Sequence, residues 1–263
     1  MKKVLFVCGL LLLLPGRSLI YGSETAVPAL QIAEGDIAVS LYSTHRAGEK
    51  LMLAVTGNDL ILVGQQQYFS TVKKEFDVTG KGDAVMCEIT INPHNQLHYW
   101  IRCGVGGYEI EVPSHTVNNR LMGDDHGVVA GLGLRKIVMP YTVVTPAVTV
   151  DAGIMYRSFT FNAYQSGQSA LAAIQQKLEI VDVSVAVTIG TRYEMIEPYG
   201  GLKVNRAYAI LREKEFFSSA AGSHDSVVLF AGNKVWFHEA ESFVIEVGVG
   251  ESTQISVGLN IVF

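Results

Sequence analysis

The stretch VDVSVAVTIGTRY, residues 181–193, sets Val181, Val183, Val185, Val187 and Ile189 on one side. Asp182, Ser184, Ala186, Thr188 and Arg192 fall on the other. A period of two with β-branched residues on one side describes a strand with one apolar face. The same alternation recurs over residues 85–91, 97–105, 128–134, 148–156, 202–210, 243–249 and 256–263. It is less regular over 226–237 and ambiguous over LILVGQQQYF (60–69). Hydrophobic residues make up 49% of the chain, yet beyond residue 14 no apolar run is long enough to cross a bilayer as a helix. A chain this apolar, but only one residue in two, is built from amphipathic strands.

The connections narrow the choice. Tight turns are expected at NPHN (92–95), VMPYT (138–142), MIEP (195–198) and HEAES (238–242), with longer polar stretches at 70–81, 107–126, 162–177 and 213–225. From residue 60 short and long alternate strictly, until the brief GES at 250–252. A membrane barrel keeps this rhythm, whereas the Greek-key connections of a sandwich mix their lengths. Tyr99, Tyr141, Tyr193, Tyr199, Phe237, Phe243 and Phe263 gather at the short-turn end, as an interfacial girdle does. The expected fold is all-β, an antiparallel up-and-down transmembrane β-barrel over residues 59–263. Ten strands are expected, twelve being the alternative. Residues 23–58 are left as a lead-in, a plug or an extra hairpin made of DIAVSLYS (36–43) and EKLMLAVTG (49–57). SALAAIQQK (169–177) is rich in good helix formers and is expected to form a short loop helix.

Lys2 and Lys3 precede an apolar run from Val4 to Leu14, the form of a secretory signal, so residues 1–22, with Cys8, are expected to be removed on export. A net charge of −5 without a basic cluster gives no footprint for nucleic acid. The expected location is the bacterial outer membrane.

Two features carry a family resemblance. PYGGLKVNR (198–206) is similar to a turn-into-strand common in bacterial outer-membrane barrels. Ser256, Gly258, Ile261 and Phe263 fill the polar, glycine, hydrophobic and aromatic places of the signal by which such barrels are assembled. The last two hundred or so residues thus resemble the small single-chain outer-membrane β-barrels, grouped with the barrel domain of outer-membrane protein A. The resemblance implies an architecture and, as partners, the barrel-assembly machinery, outer-membrane lipid and lipopolysaccharide. It names no extracellular partner and no activity.

With apolar residues facing lipid, the other parity lines the lumen: Glu88, Arg102, Arg135, Asp151, Arg157, Asp182, Arg192, Lys203, Lys234 and Glu246. Arg206 breaks the pattern on the lipid side. At ten strands, charges of both signs are expected to bridge and fill the interior; an ion-selective lining is the alternative. Small residues on the inner face, among them Gly133, Gly153, Gly201 and Gly232, relieve crowding there. Cys87 and Cys103 fall on the lipid face of neighbouring strands. Pairing about NPHN sets Cys87 opposite Tyr99 or Ile101, too far from Cys103 for a bridge, so both are expected as small apolar fillers. Asp124, Asp125 and His126 in one long loop, with His224 and Asp225 in another, are the catalytic candidates. Proteases of the omptin type keep Asp–His and Asp–Asp pairs at such a rim. No metal site, no cofactor and no turnover are expected. The function anticipated is a small structural or surface-interaction barrel, ahead of a narrow channel for ions or small solutes and a rim hydrolase.

Overall fold

The computed structural model describes residues 33–55, 60–63, 66–69, 74–94, 96–112, 119–123, 127–167, 171–213 and 219–263. The expected signal peptide lies outside them. So do Asp124, Asp125 and His126.

Among the described residues thirteen strands form: β1 (Ile37–Val55), β2 (Leu60–Val63), β3 (Gln66–Phe69), β4 (Lys74–His94), β5 (Leu97–Val112), β6 (Asn119–Gly123), β7 (Gly127–Met139), β8 (Ala147–Ser166), β9 (Ala172–Gly190), β10 (Ile196–Glu213), β11 (Ser219–His238), β12 (Glu241–Gly250) and β13 (Thr253–Val262). Eleven of them form one antiparallel sheet that closes on itself where β1 pairs with both β4 and β13. β6 and β7 share a place, since both lie between β5 and β8 at different heights. The ring therefore has ten places. Closure satisfies the backbone groups that lipid would otherwise strand.

Ten is the expected number, but its members differ. Residues 37–55, assigned above to a lead-in, plug or hairpin, make one continuous strand that joins the first and last parts of the wall. LILVGQQQYF supplies only β2 and β3, which pair with each other outside the barrel. The expected hairpin does not fold back because β4 and β13 offer partners along the whole of 38–47. The expected helix over 169–177 is strand from Ala172 onward. Pairing of Ala172 and Ala173 with β8 overrides local propensity.

Strand length is the next finding. β12 and β13 have 10 residues each, the length that crosses a bilayer, about 9–11 for a tilted strand. β4, β8 and β11 have 21, 20 and 20, so the wall continues well beyond one membrane thickness. Much of the polar sequence read as long loops is this continuation. Above the β12–β13 turn those two strands are missing, and β1 closes directly on β11 at Ala54 and Ala221. Ten places less two leaves eight. The barrel thus has a ten-strand storey toward the short turns and an eight-strand storey toward the long connections.

The two storeys are inverted in polarity, and strands without a bulge at the junction, such as β9, keep their inward parity through both. On β9, Val181, Val183, Val185, Val187 and Ile189 are exposed, and Asp182 and Thr188 are buried inside. Farther along the same strand Lys177 points outward, and Leu178 and Ile180 are buried inside. On β8 the inward series runs Asp151, Met155, Arg157, Phe159 and Phe161, from charged to aromatic. The upper storey has the apolar core of a soluble protein: Leu51, Leu53, Val78, Ile110, Val112, Leu121, Phe161, Leu178, Ile180 and Leu211, with Tyr108 stacked on Phe159 at 4.7 Å. Five exposed residues from Val181 to Ile189 rise about 20 Å, at about 3.3 Å per residue and a tilt of about 40°, close to the roughly 25 Å apolar band of such barrels. Arg206 marks the upper edge of that band. It pairs with Asp225 at 2.8 Å on the outer surface beside Tyr208, so it breaks no register.

Two local devices make the change of storey. Gly48, at φ +75°, sits in a bulge where the β1–β4 register shifts between Ala47 and Glu49. The left-handed region favours glycine, and the bulge bends β1 away from β13 toward β11. Gly222 lets the seam close, because a Cβ there would lie 1.9 Å from the Met52 carbonyl oxygen.

The lower storey also corrects the hairpin at residues 92–95. β4 runs on to His94 with a bulge after Ile91, and the reversal falls at Gln96, whose φ is +71°. Cys87 therefore stands directly opposite Cys103. Tyr199 is not in the girdle but points into the lumen. Gly222→Val should weaken the upper seam by about 1–3 kcal/mol, the usual range for overpacking. Thermal unfolding in detergent should show a lower Tm for Gly222→Val and little change for Ala221→Val, whose side chain is exposed.

Candidate functional site

Buried titratable groups converge in the interior, and they are layered. Nearest the short turns, the Trp236 indole donates to Glu197 at 2.8 Å, with Lys234 and Arg192 over its ring at 4.2 and 4.5 Å. The Tyr199 hydroxyl donates to Glu246 at 3.0 Å. In the middle, Arg102 pairs with Glu88, which also accepts from Thr90 at 2.9 Å, and Arg135 donates to Asp151 at 2.9 Å. Trp100 lies beneath Arg102 at 4.2 Å and fits because Gly133 and Gly153 face it; a Cβ on either would come within 2.3 Å of its ring.

At the junction of the storeys, Arg157 donates to both carboxylate oxygens of Glu49, at 2.9 and 2.7 Å, and to Asp182 at 2.7 Å. Glu49 also accepts from the Tyr108 hydroxyl and from Arg46, each at 2.5 Å. Asn205 donates to Asp182 at 3.3 Å. This cluster joins β1, β5, β8, β9 and β10 directly under the apolar core, and Arg157 and Glu49 are buried. Removing charge from water is costly, and paired, bidentate geometry is what offsets it.

Of the ten lumen charges named from sequence, Glu88, Arg102, Arg135, Asp151, Arg157, Asp182, Lys234 and Glu246 are buried inside. Lys203 is half-buried in the wall of a small cleft, and Arg192 caps the turn end. Sequence reading missed Glu49 and Glu197. The first lay in the segment left outside the barrel, and the second in MIEP, taken for a turn although β10 begins at Ile196.

The rim candidates separate. His224 and Asp225 project to opposite faces of β11, as neighbours on a strand must. Asp225 is held by Arg206 outside, while His224 meets Glu251 of the β12–β13 turn. His224, Ser226, Glu251 and Gln254 line the cleft left where β12 and β13 end. Among the described residues, no cluster of three or more His, Cys, Asp or Glu has the form of a metal site. The residues of the assembly pattern are in β13 and just after it. Ser256 is buried inside, Gly258 lies against Tyr42, and Ile261 pairs with Glu241 and Val39. Phe263 is exposed, and its backbone N–H donates to Ile37 at 2.8 Å.

The exposed apolar belt, the closed antiparallel ring and the charged lower lumen decide the architecture. The chain has the fold of an outer-membrane β-barrel. By sequence it matches no family model and no curated protein. By structure it is similar to the outer membrane protease OmpT from Escherichia coli, with a TM-score of 0.54 and 10% identity over 91% of this chain and 99% of that one. It is also similar to the translocator domain of the autotransporter NalP from Neisseria meningitidis, with a TM-score of 0.48 and 9% identity over 89% and 90% of the two chains. At such identities the likeness concerns the fold.

Arg157→Ala should destabilise this barrel by about 3–5 kcal/mol, because it leaves Glu49 and Asp182 buried without their cation. Denaturant unfolding of detergent-folded protein should show the loss. Combining Arg157→Met with Glu49→Gln and Asp182→Asn should restore a large part of it.

Proposed function

We propose that this chain is exported, inserts into the bacterial outer membrane and acts there as a closed barrel. Its working surface is the storey that stands clear of the lipid. The observation that carries this reading is that both storeys are filled, by different means. The lower lumen is filled by buried charged side chains, among them the pairs Arg102–Glu88 and Arg135–Asp151. The upper storey is narrow and apolar, and an eight-strand ring is just wide enough for side chains to fill. A lower lumen filled with ion pairs under an apolar core makes a closed vessel, not a conduit.

Insertion would proceed by the assembly pattern Ser256, Gly258, Ile261 and Phe263, read by the barrel-assembly machinery. Lipid and lipopolysaccharide would contact the belt and its upper edge. A hydrolytic role is the second reading, favoured by the pairing of His224 with Glu251 in one cleft with Ser226 and by the fold shared with OmpT. It is the weaker because the Asp225 carboxylate is committed to Arg206 on the opposite face and the space below the rim is packed with apolar side chains.

Conductance in planar bilayers tests the closed reading. Wild-type protein should leave bilayer conductance at its baseline, with no discrete steps. Steps whose size changes on neutralising Arg102 or Arg135 would establish a channel instead.

A further inference from the structure

The register of the β4–β5 hairpin brings together two residues that sequence spacing holds apart. Cys87 on β4 is the cross-strand partner of Cys103 on β5, and the next rung is the Glu88–Arg102 pair. Directly opposed residues on antiparallel strands have Cα atoms about 4.5 or 5.5 Å apart, depending on the rung, and both values lie in the range of about 4.4–6.8 Å spanned by disulfides. Both side chains lie on the outward face, Cys87 half-buried and Cys103 exposed, and their sulfurs are not bonded to each other in this structure. Their strand neighbours on that face, Val85, Ile89, Ile101 and Val105, are exposed and apolar, so the pair sits within the lipid belt.

We infer that Cys87 and Cys103 form a disulfide that staples the β4–β5 hairpin. The oxidant is the disulfide of a thiol oxidoreductase in the oxidising compartment the chain crosses. One cysteine thiolate attacks that disulfide to form a mixed disulfide and expel one oxidoreductase thiolate. The second cysteine thiolate then attacks the mixed bond, forming Sγ–Sγ and releasing the oxidoreductase as a dithiol. The chain loses two electrons and two protons, and the oxidoreductase gains the electrons.

The lipid belt fixes the order of events. The reacting species is a thiolate, which hydrocarbon does not support, so the bond forms before insertion and is afterwards shielded from reductants. Its effect is on register. The staple holds Cys87 level with Cys103 on the outside, and so Glu88 level with Arg102 on the inside, before the rest of the barrel has closed. A slip of one residue would turn that ion pair toward lipid.

The test is a tryptic digest of protein recovered from the outer-membrane fraction, alkylated without reductant. Cleavage after Lys81, Arg102 and Arg120 places Cys87 in peptide 82–102 and Cys103 in peptide 103–120. The inference predicts one linked species, lighter by two hydrogens than the sum of the two peptides and separated by reductant. Cys87→Ser should give Cys103 as an alkylated single peptide. Recovery of both wild-type peptides singly alkylated would overturn the inference, as would either cysteine linked to another chain. The inference rests on export, and sampling the outer-membrane fraction separates a failure of export from a failure of the bridge.

Discussion

Which residues of a strand face inward is set by its pleat, and in a closed ladder that choice cannot be revised without breaking hydrogen bonds. The barrel accepts this constraint and changes its surroundings instead. Along β9, and along β8 as far as Phe161, the inward parity stays the same, while its side chains pass from Asp182 and Asp151 to Leu178 and Phe161. The outward parity passes from valines to Lys177 and Glu179, which pair with each other at 2.9 Å. One wall therefore serves two solvents: a lipid-facing barrel with a polar interior becomes, farther up, a water-facing barrel with an apolar one.

The drop from ten places to eight makes the upper storey fillable. An interior ten strands wide holds long charged side chains, whereas one eight strands wide closes on Phe159, Phe161 and their neighbours. The short β12–β13 hairpin causes the drop, the bulge at Gly48 steers β1 across to β11, and Gly222 admits it. Glu49 follows immediately after the bulge and binds the Arg157 cluster to the first strand. A bend in the backbone, a change in strand number and the buried Arg157–Glu49–Asp182 cluster thus occur at one height.

The sequence displays the lower storey plainly and the upper one poorly, for a physical reason. Val181 to Ile189 alternate against Asp182 to Thr188 with one sense, and a membrane barrel follows. Beyond Glu179 the sense reverses with the period unchanged, so Leu178 and Ile180 next to Lys177 look like the start of a loop. The alanines and glutamines at 172–176, good helix formers in isolation, hid the rest of β9. Residues 37–55 read as two short strands, 36–43 and 49–57, because the bulge at Gly48 shifts the alternation in the middle of one continuous strand. The brief GES at 250–252, the one departure from the rhythm of connections, was the visible trace of the change in strand number. The cysteine pairing was hidden by the bulge after Ile91, which moves the hairpin reversal from NPHN to Gln96. Among candidate site residues the inward charges followed from parity, whereas Glu49 and Glu197 needed the true ends of β1 and β10.

The central claim is that polarity inverts on strands of constant parity. Spin labels placed singly along β9, in a Cys87→Ser, Cys103→Ser background in liposomes, test it most directly. Labels replacing Val183 and Val187 should be relaxed by lipid-soluble oxygen. Labels replacing Lys177 and Glu179 should be relaxed by a water-soluble nickel complex, and labels replacing Leu178 and Ile180 should be protected from both. Oxygen access at Leu178 and Ile180 matching that at Val183 would place them against lipid and contradict the two-storey account.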